Sequence, residues 1–161
     1  MNERYKTDLQ RGLEYQDFVF DQLRMMDGMP IFLGAYSSVK YQCSKGESPS
    51  GLEIKYDAKF RQTGNLFIET AEKSYAEQLD FHPSGVFSED NSWLILIGDY
   101  EEAYIFAKRL LRAFCVPSNK EVTYKEIPTA QGYIFPLEYI ERKCLCAKHI
   151  IFANNVEPGQ E

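Results

Sequence analysis

The spacing of apolar and polar residues predicts two helices. Between Thr7 and Met26 apolar side chains recur at the helical period, and Asp27-Gly28 predicts the end of this helix. Its apolar face comprises Leu9, Leu13, Tyr15, Val19, Phe20, Leu23 and Met26. A second helix is predicted over residues 100–115, with Asp99 and Glu102 as a capping box. Its apolar face comprises Ala103, Phe106, Ala107, Leu110, Leu111 and Phe114.

The remaining apolar segments predict strands. Residues 92–98, SWLILIG, are almost entirely apolar without alternation, which is typical of a buried strand. Further strands are predicted over residues 30–36, 122–127 and 132–135, the segment 137–152 stays unassigned, and the tail 154–161 is predicted to be disordered. This order predicts a single α/β domain over residues 1–153, with a central mixed β-sheet flanked by helices.

The segment 51–73 carries charges at alternating positions of what we predict to be a β-hairpin. Gly64 suits the left-handed position of a tight turn, and pairing Arg61 with Asn65 across that turn would place Asp57 opposite Glu69. In the same register Lys55 lies opposite Ala71, on the same face. Two facing carboxylates repel each other, whereas a divalent cation is attracted by them. A solvated sheet face and a metal site remain the two interpretations.

Composition narrows the classes of function. The chain has 161 residues, 44% of them hydrophobic, which is enough for the core of one domain. Without a long apolar run or a signal peptide, the sequence predicts a soluble, cytoplasmic protein with no membrane partner. Cys144 and Cys146 lack the spacing of a zinc knuckle, so we expect packed free thiols. The net charge of −6 disfavours nonspecific binding to nucleic acid, although a carboxylate cluster neutralised by metal ions would lower the net charge in the same way.

The hairpin also resembles a known family. The pattern E-x-K-x-D at Glu53–Asp57, then T-G-N at Thr63–Asn65 and I-E at Ile68–Glu69, resembles small phage-type members of the PD-(D/E)XK nuclease superfamily, which have the restriction-endonuclease-like fold. The segment HPSGV, residues 82–86, adds to the likeness, which covers residues 8–115 in outline.

The resemblance implies a Mg²⁺-dependent (or Mn²⁺-dependent) DNA endonuclease that hydrolyses phosphodiester bonds, with branched or structured DNA as a candidate substrate. Asp57, Glu69 and Glu14 would hold the metal. Ala71 occupies the usual position of the catalytic lysine, so either Lys55, from the neighbouring strand, or Lys73 would take its role.

One alternative function and several weaker candidates stay open. The alanine at position 71 and the acidic charge balance also suit an inactive nuclease-like domain that binds nucleic acid or a protein partner. Glu47 and Glu53 are interpreted as surface carboxylates, and Phe67 and Trp93 as core residues. The sequence does not fix the oligomeric state, so a homodimer stays open.

Overall fold

The computed structural model describes residues 3–26, 35–36, 38, 42 and 45–152. The helices are α1 (Glu3–Met25), α2 (Phe60–Thr63), α3 (Lys108–Phe114) and α4 (Leu137–Arg142), with a 3-10 turn at Gly85–Phe87. The strands are β1 (Leu52–Tyr56), β2 (Asn65–Glu72), β3 (His82–Pro83), β4 (Leu94–Gly98), β5 (Glu102–Ala107), β6 (Thr123–Ile127), β7 (Ala130–Pro136) and β8 (Lys148–Ile151).

The strands form two four-stranded sheets, and the α/β class with a mixed sheet flanked by helices is confirmed. The first sheet has the order β1-β4-β5-β8 and is mixed, because β1 runs parallel to β4 whereas β4 pairs antiparallel with β5. The second sheet has the order β3-β2-β7-β6 and is antiparallel in each pairing. The additional sheet reflects the antiparallel strands that follow α3.

Two hydrophobic clusters cover the two faces of the first sheet. On one face the predicted helix α1 is confirmed, and its residues Tyr15, Val19, Phe20 and Leu23 pack against residues such as Leu96. The cluster on the opposite face joins the first sheet to the second. Its members include Ile95, Ile97 and Phe106 from the first sheet and Leu66, Ile68 and Phe135 from the second. The site described below lies on this face, at the edge strand β1.

The predicted hairpin pairing is wrong. β1 pairs with β4, with Lys55 next to Ile97, and β2 pairs with β7, with Glu69 next to Gly132. Asp57 therefore does not lie across a ladder from Glu69, nor Lys55 from Ala71. The connection contains α2, and Gly64 ends this helix with φ 68°, which confirms the left-handed position predicted for it. A buried apolar strand such as β4 is a better partner for β1 than the charged β2, because β1 itself begins with three buried residues.

The helix predicted over residues 100–115 is wrong in its first half. Residues 102–107 form β5, and the helix begins only at Lys108. Four consecutive residues, Ala103–Phe106, are buried between β4 and β8, which a helix with one solvent face does not allow. The Asp99 carboxylate accepts hydrogen bonds from the backbone N–H groups of Glu101 and Glu102, so it stabilises the β4–β5 turn instead of capping a helix.

The other predicted elements fall into three groups. The strands over 92–98, 122–127 and 132–135 are confirmed as β4, β6 and β7. The unassigned segment 137–152 contains α4 and β8. Most of the strand predicted over 30–36, the helix end at Asp27-Gly28 and the tail 154–161 lie outside the described residues. Within the part of the chain that the structure describes, no helix is long and apolar enough to cross a membrane.

Candidate functional site

Lys55 joins the two sheets through an ion-pair cluster. Its Nζ lies 3.1 Å from Glu53 Oε1 on the same strand and 3.7 Å from Glu69 Oε1 on β2. Glu53 and Lys55 share one face of β1, as the alternation of strand side chains requires, and that face is directed toward the second sheet. The lysine therefore reaches Glu69 across the junction of the sheets, although the two strands are not paired.

Glu53 is the buried centre of this cluster. Only 6% of the residue is exposed, and its second carboxylate oxygen is paired with Lys108, which is 1% exposed. One carboxylate thus bridges two ammonium groups, one deep in the protein and one at the surface of a cleft. A buried carboxylate with two charged partners is held in one orientation, because leaving either charge unpaired in the interior is costly.

Lys108 also ties the cluster to the segment before β4. Its Nζ donates hydrogen bonds to the hydroxyl of Ser88, at 2.7 Å, and to that of Ser92. Asp90 Oδ1 lies 3.8 Å from the same Nζ and lowers the net positive charge around it. At the other end of this segment the Ser84 hydroxyl donates to Glu69 Oε1 at 2.8 Å. The segment 84–92 consequently contacts Glu69 directly and Glu53 through Lys108.

Further carboxylates lie close enough to affect the titration of the cluster. Burial disfavours the charged form of Lys55, but Glu53, Glu69, Glu47 and Glu72 outweigh this and raise its pKa. Burial, assisted by Glu53 and opposed by Lys55, raises the pKa of Glu47 to about 7. Glu47 Oε2 accepts a hydrogen bond from the backbone N–H of Ile54 at 2.7 Å, which holds it beside β1. Negative charge therefore exceeds positive charge around Lys55.

Asp57 and Glu69 each have one carboxylate oxygen that is free of partners among the described residues. Asp57 Oδ1 accepts the backbone N–H of Lys59 at 2.9 Å, and Glu69 Oε1 is engaged by Ser84 and Lys55. Among the described residues, neither Asp57 Oδ2 nor Glu69 Oε2 has a hydrogen-bond or ion-pair partner. Both carboxylates line the same two clefts, so both oxygens are available to a ligand.

The two clefts meet at Lys55, Tyr56, Asp57, Lys59 and Glu69. The first, here called the apolar cleft, has a volume of about 570 Å³. Its other lining residues are Thr63, Asn65, Phe67, Ile95, Ile97, Lys125, Ile127 and Ile134. The second, here called the polar cleft, has a volume of about 650 Å³. Its other lining residues are Leu9, Arg11, Gly12, Leu13, Gln16, Gln42, Glu47, Ile54, Ala58 and Glu72.

The structure brings together three of the five residues predicted for the site. Lys55, Asp57 and Glu69 lie at the junction of the clefts. Glu14 is exposed on α1 and accepts a hydrogen bond from Gln10 of the same helix, and it is not among the α1 residues that line the polar cleft. Lys73 lies past the end of β2, where its Nζ donates to the carbonyl of Gln78.

Several residues were missed or misassigned by the sequence analysis. Glu53 is buried, so its assignment to the surface was wrong. Its position between Leu52 and Ile54, at the start of a buried strand, is the sequence feature that indicates this burial. Lys108 had no such feature, because it lies outside the apolar face of the helix predicted over residues 100–115. Phe67 lines the apolar cleft and Trp93 is 57% exposed, so neither is the core residue that was predicted.

These residues are compatible with a divalent-cation site to which the protein contributes only two carboxylates. Within the described residues, no three His, Cys, Asp or Glu side chains are grouped so that they could hold a metal. Mg²⁺, however, is usually held by one or two carboxylates and completed by water and substrate phosphates. The free oxygens of Asp57 and Glu69 fit that pattern.

No family model, curated protein or solved structure matches this chain. The chemistry of the site is therefore inferred from its own residues and their geometry.

Proposed function

We propose that this protein is a Mg²⁺-dependent DNA endonuclease that hydrolyses phosphodiester bonds at the junction of the two clefts. The observation that carries the proposal is Lys55, held by Glu53 and Glu69 beside two carboxylates that each have a free oxygen. A fixed ammonium next to open carboxylate ligands suits the hydrolysis of a phosphodiester, because both the attacking water and the phosphate need to be positioned.

Each residue would have a separate role. Asp57 and Glu69 would hold the cation, which supplies a water of lowered pKa and neutralises charge on the phosphate. The Lys55 ammonium would bind a phosphate oxygen as a point charge. Glu53 would keep Lys55 aimed at that position, since its other oxygen is anchored on the buried Lys108. Glu14 and Lys73 are not needed in this scheme.

Basic residues near the junction support DNA as the partner despite the net charge of −6, provided that a cation offsets the carboxylates there. Four basic residues, Arg11, Lys55, Lys59 and Lys125, line the two clefts, together with the carboxylates of Glu47, Asp57, Glu69 and Glu72. Once a divalent cation is bound, phosphate groups would be attracted by the local positive charge more than by the net charge of the whole protein. A DNA strand that follows both clefts would pass the carboxylates at the point where they meet.

Cleavage assays on a panel of single-stranded, double-stranded, flapped and four-way DNAs test the proposal. With Mg²⁺ or Mn²⁺ we expect the parent protein to cleave, Lys55→Ala to lose activity by about 100-fold or more, and Lys73→Ala, the matched control, to retain it. Calorimetric titration with Mn²⁺ should show weaker binding in Asp57→Asn and Glu69→Gln, and unchanged binding in Lys55→Ala.

The outcomes separate the two classes of function. Equal loss of activity in Lys55→Ala and Lys73→Ala would contradict the role given to Lys55. A parent protein that shifts DNA in a gel but cleaves no member of the panel would instead favour the nuclease-like binding module.

A further inference from the structure

The apolar lining of the apolar cleft has no role in the hydrolysis just described. Five of its lining residues are large and apolar, from both sheets: Phe67, Ile95, Ile97, Ile127 and Ile134. Lys55 and Glu69 of the proposed cleavage site line it as well. A cleft of about 570 Å³ has the volume of a small-molecule pocket.

An aromatic ring and isoleucine side chains from both sheets line this cleft. A Cβ built on Gly132 would lie 2.8 Å from two ring carbons of Phe67, so the aromatic ring packs directly on the backbone of β7. The ring is thus held in place where it lines one wall. Ile95 and Ile97 belong to the opposite sheet, and isoleucine side chains with aromatic rings are the usual surroundings of an inserted nucleobase.

Polar groups at one end of the cleft could recognise the edge of such a ring. Asn65 Nδ2 donates to the carbonyl of Thr63 at 2.6 Å, which orients the amide. Its Oδ1 accepts no hydrogen bond from the described residues. An oriented amide oxygen in an apolar pocket is a natural acceptor for an amino or imino N–H of a base.

Two lysines of the cleft favour an anionic ligand, although Asp57 and Glu69 line the cleft as well. Lys59 and Lys125 line it, and within the described part of the chain neither forms an ion pair. A purely apolar ligand would gain nothing from these two charges, whereas a nucleotide would place its base between the sheets and its phosphates at the lysines.

We propose that the apolar cleft binds one unpaired nucleobase of the substrate, adjacent to the phosphate that is cleaved. This inference rests on the proposed function and specifies its substrate: a nucleic acid with an unpaired nucleotide at the cleavage position, such as a single strand or a flap. A base inside a duplex cannot reach this cleft without leaving the stack, and an unpaired base does so at the least cost.

The first test measures binding without chemistry, in EDTA. The probes are a fluorescent oligothymidylate of about ten nucleotides and an abasic strand of the same length and charge, compared by anisotropy. We expect the base-bearing strand to bind about tenfold more tightly, because the stacking of one base contributes on the order of 1 kcal/mol or more. Equal affinity for the two strands would overturn the inference.

A matched pair of variants locates the effect. Ile127 and Tyr124 are both exposed on β6 and lie on opposite faces of that strand, and only Ile127 lines the apolar cleft. Ile127→Glu should remove the advantage of the base-bearing strand, whereas Tyr124→Glu should leave it within about twofold. If both variants lose it equally, the cleft is not the base-binding site.

A cleavage assay distinguishes failure of this inference from failure of the proposed function. With Mg²⁺, a duplex carrying one unpaired nucleotide should be cut faster than the fully paired duplex. Equal cutting of both would refute the base-binding inference and leave the nuclease intact. Conversely, an absence of all cleavage together with the Ile127-dependent binding would refute the nuclease and retain the cleft as a nucleobase site.

Discussion

Lys108 offers the sharpest test of the buried part of the site. We predict that Lys108→Met destabilises the protein by about 3 kcal/mol. Removing one partner of a buried ion pair typically costs about 3–5 kcal/mol, because the remaining charge is left uncompensated. Here the remaining carboxylate, Glu53, keeps Lys55 at 3.1 Å, and the side chain of that lysine is 38% exposed, so the lower end of the range applies. Equilibrium unfolding in urea gives the measurement.

A control variant and a second substitution test whether Lys108 and Glu53 stabilise each other. Arg109 is the exposed neighbour of Lys108 on α3, and Arg109→Met should cost within about 0.5 kcal/mol. Adding Glu53→Leu to Lys108→Met should recover part of the loss, because it removes the uncompensated carboxylate. A cost for Lys108→Met no larger than that of the control, or strict additivity with Glu53→Leu, would show that the two side chains do not stabilise each other.

Two further predictions concern pH and backbone conformation. Burial raises the pKa of Glu47 from 4.5 to about 7, so the folded state binds more protons between these values, and the metal-free protein should lose stability as the pH rises through this window. Urea unfolding in EDTA should show this slope in the parent and not in Glu47→Gln; an unchanged slope would refute it. Gly64→Ala should cost about 1 kcal/mol for its positive φ alone. Gly85→Ala should cost more in thermal unfolding, since its Cβ would lie 2.4 Å from the Glu69 carbonyl oxygen, and equal costs would contradict that close approach.

Local sequence patterns predicted the elements whose side chains are buried either on a single face or on both faces. α1 has a single buried face, so its periodicity was sufficient, and the uninterrupted apolar run of β4 has both faces buried. For β5 the same reasoning predicted a helix instead of a strand. Its four consecutive buried residues belong to a strand, but two of them, Ala103 and Phe106, also fall at helical spacing with Leu110. Spacing alone does not separate a short buried strand from the first turns of a helix.

Pairing of strands is a non-local choice, which explains the wrong hairpin. Nothing between Asp57 and Asn65 forbids a tight turn, and Gly64 has the conformation that such a turn would need. The choice of partner depended instead on β4, which offers β1 a fully buried neighbour. The alternation along β1 still holds, so Glu53 and Lys55 share a face whichever strand lies beside them. The face of β1 on which each side chain lies was therefore predictable from the sequence, whereas the strand that pairs with β1 was not.

The sheet junction resolves the electrostatic conflict that the hairpin would have created. Across a ladder, Asp57 and Glu69 would have repelled each other with no cation between them. In the observed fold Glu69 forms an ion pair with Lys55 and accepts a hydrogen bond from the Ser84 hydroxyl. Glu53 forms ion pairs with both Lys55 and Lys108. Glu47 is affected differently, because burial, opposed by Lys55 and assisted by Glu53, raises its pKa. Because a bound divalent cation would lower that pKa, the pH at which Glu47 ionises should fall when Mn²⁺ is added to the parent, and should not fall in Asp57→Asn with Glu69→Gln.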